Sequence, residues 1–398
     1  MKSLRDRFAL AATVTEQVSA SPGSALWTFP AMIASAFLVA WGAEAAEFLI
    51  SQGLALAILA LVQTLPEFAV EAVIAWKAGK NPPMVHLAIA NFTGSLRLLT
   101  GLGWPMIYGV AAFYSVKNKN RRLGRIELHD EHAVEVVGLL PPLLYFVVIW
   151  AKGNLSLLDS AVLAATYVAY LWILLRLPPR PDTVEEDEEV PAVSRWALSY
   201  AGRKRWAAVG ALLGGGGVII YLVAEPFLNS MLALAVSMGM SEFVFIQWVA
   251  PFLSEFPEKT SAFAWARRVT RAPVALMNMV SSNINQWGIL SGLLAVIYCW
   301  SHGSVEPLPF DAFQRQEILL TILQAFLGWL FLASMDLEAY EAAGLFFLWL
   351  VQFLVPTLRH PLLYVYGAWI AVEAGLVLAG KKRLAAFPAF ARAWRRIQ

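Results

Sequence analysis

Long apolar runs separated by short polar breaks carry the chain from residue 27 to residue 380. A helix needs about 20 predominantly apolar residues to cross a bilayer. On that criterion spans fall at 27 to 51, 54 to 78, 83 to 113, 134 to 151 and 156 to 176, and again at 207 to 236, 241 to 265, 272 to 299, 314 to 334, 339 to 356 and 361 to 380. The pattern predicts an all-α membrane protein of 10 or 11 spans, the last being a possible extra C-terminal helix. One hydrophilic break divides it. Pro178-Pro179-Arg180-Pro181, the acidic run Glu185 to Glu189 and Arg203-Lys204-Arg205 make a segment too polar and proline-rich to be buried. The acidic run lacks the alternating ligands and glycine of a Ca2+-binding loop and reads as a solvated linker. The division is therefore residues 1–177, a linker at 178–205 and residues 206–398. The first apolar run continues past Glu44 and Glu47 without a small-residue cleavage pattern, so it reads as a span and not as a signal peptide.

Composition agrees with a polytopic membrane protein: 59% of the 398 residues are hydrophobic and 15% charged, and mean hydropathy is +0.61. Many of the Trp and Tyr residues, such as Trp27, Trp104, Tyr108, Trp150 and Trp206, stand near the ends of apolar runs, as in interfacial belts. The partner these features imply is the lipid bilayer. A net charge of +2 reflects basic loops and implies no nucleic acid. A single cysteine, Cys299, excludes an intrachain disulfide and a cysteine metal site, and the five histidines show no ligand spacing. Lys117 to Arg125, the central linker, Arg267 to Arg271 and Lys381 to Arg396 fall on one side, which the positive-inside rule makes cytoplasmic, with the N-terminus outside. Lys2, Arg5 and Arg7 run against that orientation. Five spans before the linker give the two halves opposite topology.

Two stretches echo each other across those halves. Pro66-Glu67 ends one apolar run and Asn91-Phe92-Thr93-Gly94-Ser95 lies within the next; Pro257-Glu258 and Asn278-Met279-Val280-Ser281-Ser282-Asn283 repeat the arrangement. Proline removes an amide donor and clashes with the carbonyl four residues earlier, here Val62 and Leu253, which loosens each helix. Freed carbonyls and nearby carboxylates are hard oxygen ligands for Ca2+ or Na+. Helical spacing puts Glu67 and Glu71 on one face, Glu255 and Glu258 on another, and Asn278, Ser282 and Asn285 on a third. The plainer reading makes the prolines simple kinks and the glutamates an interhelical seam, but ionisable residues inside a membrane are functional by default. The glycines at 214 to 217 lack a following Lys-Ser/Thr and read as helix packing through Gly210 and Gly214.

These stretches, about 54–113 and 239–299, resemble the alpha repeats of the sodium/calcium exchanger branch of the cation/Ca2+ antiporter superfamily. The resemblance rests on Leu65-Pro66-Glu67 with Asn91 to Ser95, on Phe256-Pro257-Glu258 with Asn278 to Asn285, and on Gly239-Met240-Ser241. It implies inverted five-helix repeats and a midplane cation site with Glu67 and Glu258 as paired carboxylates and Asn91 and Asn278 facing them. Thr64 would add a hydroxyl or carbonyl; Ser254, Glu255, Glu71 and Ser282 complete the expected ligand set. Two departures stand out. Val62-Gln63-Thr64 and Leu253-Ser254-Glu255 occupy the place of the family's Gly-Thr-Ser, and two cations, Arg97 and Lys259, fall near the site. Either cation could replace a bound ion, or pair structurally; Arg97 could also pair with Glu44 or Glu47. The expected function is exchange of Ca2+ for Na+ or H+ by alternating access, with the first span and its partner at 207 to 236 sliding as gates. The expectation includes no enzymatic activity and no cofactor. The alternatives are a carrier of another ion, such as an anion drawn to Arg97 and Lys259, and a non-transporting scaffold.

Overall fold

A computed structural model describes residues 21–47, 49, 64–119, 121–176 and 191–395. The side chains of Glu44 and Glu47, residues 54–63 of the run at 54 to 78, the acidic run and Lys2 to Arg7 lie outside the described residues. The fold is all-α. The first half contains α1 (Ala25–Glu47), α2 (Leu65–Lys80), α3 (Val85–Leu98), α4 (Trp104–Lys119), α5 (Ala133–Lys152) and α6 (Leu157–Arg176). A short helix, α7 (Ala192–Leu198), precedes α8 (Gly202–Ser237), α9 (Glu242–Ser254), α10 (Phe256–Arg267), α11 (Ala272–Asn285), α12 (Ser291–His302), α13 (Ala312–Leu332), α14 (Ala339–Leu354), α15 (Arg359–Leu378) and α16 (Ala386–Arg395).

Among the described residues seven helices are long and apolar enough to cross a membrane, and α9 and α14 are shorter apolar helices. The spans predicted at 241 to 265 and 272 to 299 are not among the seven. One is cut at Glu255 between α9 and α10, and the other carries the polar side chains of the site.

Two short antiparallel ladders tie the halves together. β1 (Arg125–Glu127) pairs with β4 (Asp336–Glu338), and β2 (Asn154–Leu155) pairs with β3 (Leu308–Pro309). β1 follows the third predicted span and β4 the ninth; β2 follows the fourth and β3 the eighth. Alternate crossing therefore puts one ladder on each membrane face, and exchanging the halves turns each ladder into the other. A second mark of the repeat lies inside the helices. α3 and α11 each run 14 residues and then widen into a π turn of five, Leu99–Gly103 and Gln286–Leu290. Such widenings locally break the i to i−4 ladder and often mark functional positions.

The long helices α1 and α8 pack along each other. Thr28 and Ser230 share a buried hydroxyl hydrogen bond of 2.7 Å. The close approach comes at Gly216, where a Cβ would meet Val39 at 2.6 Å, and at Gly42 against Leu213 at 2.9 Å. Gly210 and Gly214 have open space beside them, so the expected packing through those two glycines is corrected to Gly216. The reason is rotational: the face of α8 turned to α1 carries Leu212, Gly216 and Ile220, all buried, while Gly210 and Gly214 are turned away. The linker also departs from expectation. Its second part, α7, is docked, with Ser194 and Ala197 buried and Ser194 Oγ donating to the Trp41 carbonyl at 3.0 Å. Its Val193, Ala197 and Leu198 supply the apolar face that the proline and acidic residues before it lack.

Candidate ion-binding site

Both Pro-Glu pairs open a helix. Pro66 and Pro257 occupy the first turns of α2 and α10, where a missing N–H costs nothing, and Glu67 and Glu258 follow in the same first turn. Pro257 thus restarts a helix just after α9 rather than kinking a continuous one, and Pro66 opens α2. Each carboxylate stands at the positive end of a helix dipole inside the membrane. α2 packs against α12, and α10 against α4, so each half-helix lies on the other half's π-interrupted helix.

The carboxylates are buried and held by residues of both halves. Asn91 Nδ2 donates to Glu67 Oε1 at 2.9 Å and to Glu71 Oε2 at 2.6 Å. Ser254 Oγ donates to Glu67 Oε2 across the repeat boundary. In the second half Ser282 Oγ donates to Glu258 Oε1 at 2.5 Å. Glu255 accepts from Ser95 Oγ of the first half, from Gln286 Nε2 at 2.8 Å and from Lys259 Nζ, its ion-pair partner. Asn285 Nδ2 donates to Thr64 Oγ1 at 2.5 Å. Asn278 is half-buried and is placed one turn before Ser282. Gly94 makes the crossing of the halves possible: a Cβ there would lie 1.7 Å from the Gln247 carbonyl oxygen of α9.

Six side-chain oxygens around this cluster are buried without a donor: Glu71 Oε1, Asn91 Oδ1, Glu258 Oε2, Asn283 Oδ1, Asn285 Oδ1 and Gln286 Oε1. A buried acceptor without a donor costs about 1–3 kcal/mol. A cation satisfies several acceptors at once. The indole N–H of Trp287 also lacks a partner, but its ring is held against Phe92 and Phe146. Among the described residues no group of three His, Cys, Asp or Glu side chains is gathered as a metal cluster, so a cation here would draw on amide and hydroxyl oxygens as well as carboxylates.

Of the two cations singled out in the sequence, only Lys259 touches the glutamates of the two repeats. Arg97 belongs to a second network. Its Nη2 donates to Glu317 at 2.5 Å, its Nη1 to Gln352 at 3.0 Å and its Nε to the Thr93 carbonyl at 3.1 Å, all buried. Gln247 Nε2 and Arg359 Nη1 also donate to Glu317, at 2.7 and 3.2 Å. Gln324 and Tyr366 close the network around Gln352. Glu317, Gln247 and Gln286 carry no motif that singles them out in the sequence. A Glu within an otherwise apolar span was the available signal for Glu317.

The family model described as sodium/calcium exchanger protein matches residues 20–176 and 208–358. The crystal structure of the H+/Ca2+ exchanger CAX is 31% identical, with a TM-score of 0.83 over 94% of this chain and 90% of that one. The sodium-calcium exchanger NCX_Mj soaked with Na+ and Ca2+ is similar in fold, at 15% identity and a TM-score of 0.55 over 84% of this chain and 97% of that one. A search of curated proteins found no match. With both halves matched by one family model and nearly the whole chain superimposed on an exchanger, the chain belongs to the sodium/calcium exchanger protein family, within the cation/Ca2+ antiporters.

Proposed function

We propose that the chain exchanges Ca2+ for protons across the membrane by alternating access of the site bounded by Glu67 and Glu258. The observation that carries this reading is the set of six donorless buried oxygens contributed by both repeats. Such a set disfavours an empty site and favours a loaded one, so the switch between faces occurs with cargo aboard.

Charge favours protons as the exchanged species. Glu67, Glu71, Glu255 and Glu258 are opposed by the single ammonium of Lys259. One Ca2+ and two protons leave this site with the same net charge, and protons need no further ligand oxygens. Lys259 already fills beside Glu255 the place a second metal cation would take. The similarity to the H+/Ca2+ exchanger CAX supports the same choice. Glu67, Glu258, Glu71, Asn91, Asn278, Thr64, Ser254, Glu255 and Ser282 would line the path of the ion, with α1 and α8 as the sliding gate. The face carrying β1, β4 and α16 would be cytoplasmic, as its basic residues favour.

The test is 45Ca2+ uptake into proteoliposomes under an outward proton gradient, an outward Na+ gradient or none, with Glu258→Gln beside the unaltered chain. Proton-driven uptake lost in the variant is the expected result. Uptake driven by Na+ alone would overturn the proton assignment, and no uptake under any gradient would overturn transport.

A further inference from the structure

A cavity of about 490 Å³ opens where His86, Ser241, Phe243, Val244, Phe313, Pro356 and Arg359 meet, away from the glutamates of the two repeats. These residues stand at or beside the N-terminal ends of α3, α9, α13 and α15. All four helices start from the face that carries the β2–β3 ladder, so four positive dipole ends converge on one cavity. That alone would not make a site.

The second observation is Arg359. The residue is 3% exposed, and its Nε and Nη2 are buried with no hydrogen-bond partner. Its third nitrogen, Nη1, shares Glu317 with Arg97, so two guanidinium groups are opposed by one carboxylate. The remaining members of that network, Gln247, Gln324, Gln352 and Tyr366, are neutral. Of the acids at this end of the bundle, Glu242 is exposed and Asp311 caps α13 by accepting from the Gln314 N–H at 2.7 Å; neither lines the cavity. A buried guanidinium that shares its one carboxylate with another and leaves two N–H donors idle is destabilised in a low-dielectric setting. Two adjacent guanidinium donors match the oxygens of a phosphate in bidentate fashion. Phe243, Val244 and Phe313 add apolar walls beside that polar end.

We infer that this cavity binds a phosphate-type oxyanion through the Nε and Nη2 of Arg359, at the membrane face opposite the β1–β4 ladder. The oxyanion is either the headgroup of an anionic phospholipid, with its chains along the phenylalanines, or free phosphate. The inference is independent of which cation the chain transports.

The full-length protein, delipidated in detergent, is heated with inorganic phosphate against chloride of equal ionic strength, and separately with and without phosphatidylglycerol. Two variants run beside it. Arg359→Gln removes the donors. Ser241→Asp supplies a competing carboxylate at the mouth while keeping a good N-cap residue on α9, so it folds even if the first variant does not. A rise in unfolding temperature with phosphate that both folded variants lose identifies a free-oxyanion site. A rise with phosphatidylglycerol alone, lost in the same way, identifies the lipid headgroup. No rise with either probe, or an undiminished rise in Ser241→Asp, overturns the inference.

Discussion

Two buried polar clusters share the helix α3, and they are unbalanced in opposite senses. Around Glu67 and Glu258 the surplus is in acceptors, with six oxygens lacking a donor. Around Glu317 both carboxylate oxygens are taken by Arg97, Gln247 and Arg359; Gln247 Oε1 is the one acceptor of that network left idle, and Arg359 Nε and Nη2 are idle donors at its outer end. The same residue types thus serve different ends. A carboxylate whose oxygens are all taken by buried donors holds helices in place, whereas a carboxylate left short of donors has a requirement that only a mobile cation or proton can meet.

The contrast can be broken at several strengths. Glu67→Gln or Glu258→Gln should reduce gradient-driven Ca2+ uptake to background while the protein elutes as a folded species, because each removes a charge from the acceptor-rich cluster. Glu317→Gln acts on the other cluster. It strands two guanidinium groups and should cost about 3–5 kcal/mol in denaturant unfolding, showing first as lost stability. Gly94→Ala sits between the clusters. Its methyl group would meet the Gln247 carbonyl at 1.7 Å, so α3 and α9 must separate, at about 1–3 kcal/mol and with a loss of transport. Lys259→Met should sharpen the comparison by making the cation site more negative. The expected outcome is about a tenfold lower half-saturating Ca2+ concentration in uptake, equivalent to ~1.4 kcal/mol. Arg392→Ala breaks a pair of the same chemistry in water, between α16 and Asp130, and should leave the unfolding temperature unchanged within error.

The spans and the two Pro-Glu pairs were legible in the sequence because each has a strong local signature, a run of apolar residues or a proline beside a buried charge. The partners of those glutamates were less so. Asn91 lies on the neighbouring helix of the same repeat and was named, but Ser95 reaches Glu255 and Ser254 reaches Glu67 across the repeat boundary, at sequence separations of 160 and 187. No periodicity encodes a crossing of that kind. Arg97 follows Gly94 closely, which in the sequence puts it near the candidate cation site. Its helical position instead turns it toward α13, where Glu317 stands without any motif to announce it. The ladders of two and three residues are too short to leave an alternating pattern, and a π turn adds one residue to a helical turn without changing composition.

Those ladders also restrict how the molecule can move. One lies at each face, and each stitches a loop of the first half to a loop of the second. A rocking of half against half would shear both at once, breaking main-chain hydrogen bonds at the two ends of the bundle in the same stroke. α5 and α13, which run between the stitched loops, are in effect riveted top and bottom into a stationary frame. Among the described residues α1 and α8 carry no rivet, and the groove at Gly216 and Gly42 gives them a rail, so the alternating access proposed above would fall to a carriage of two helices running along a fixed chassis.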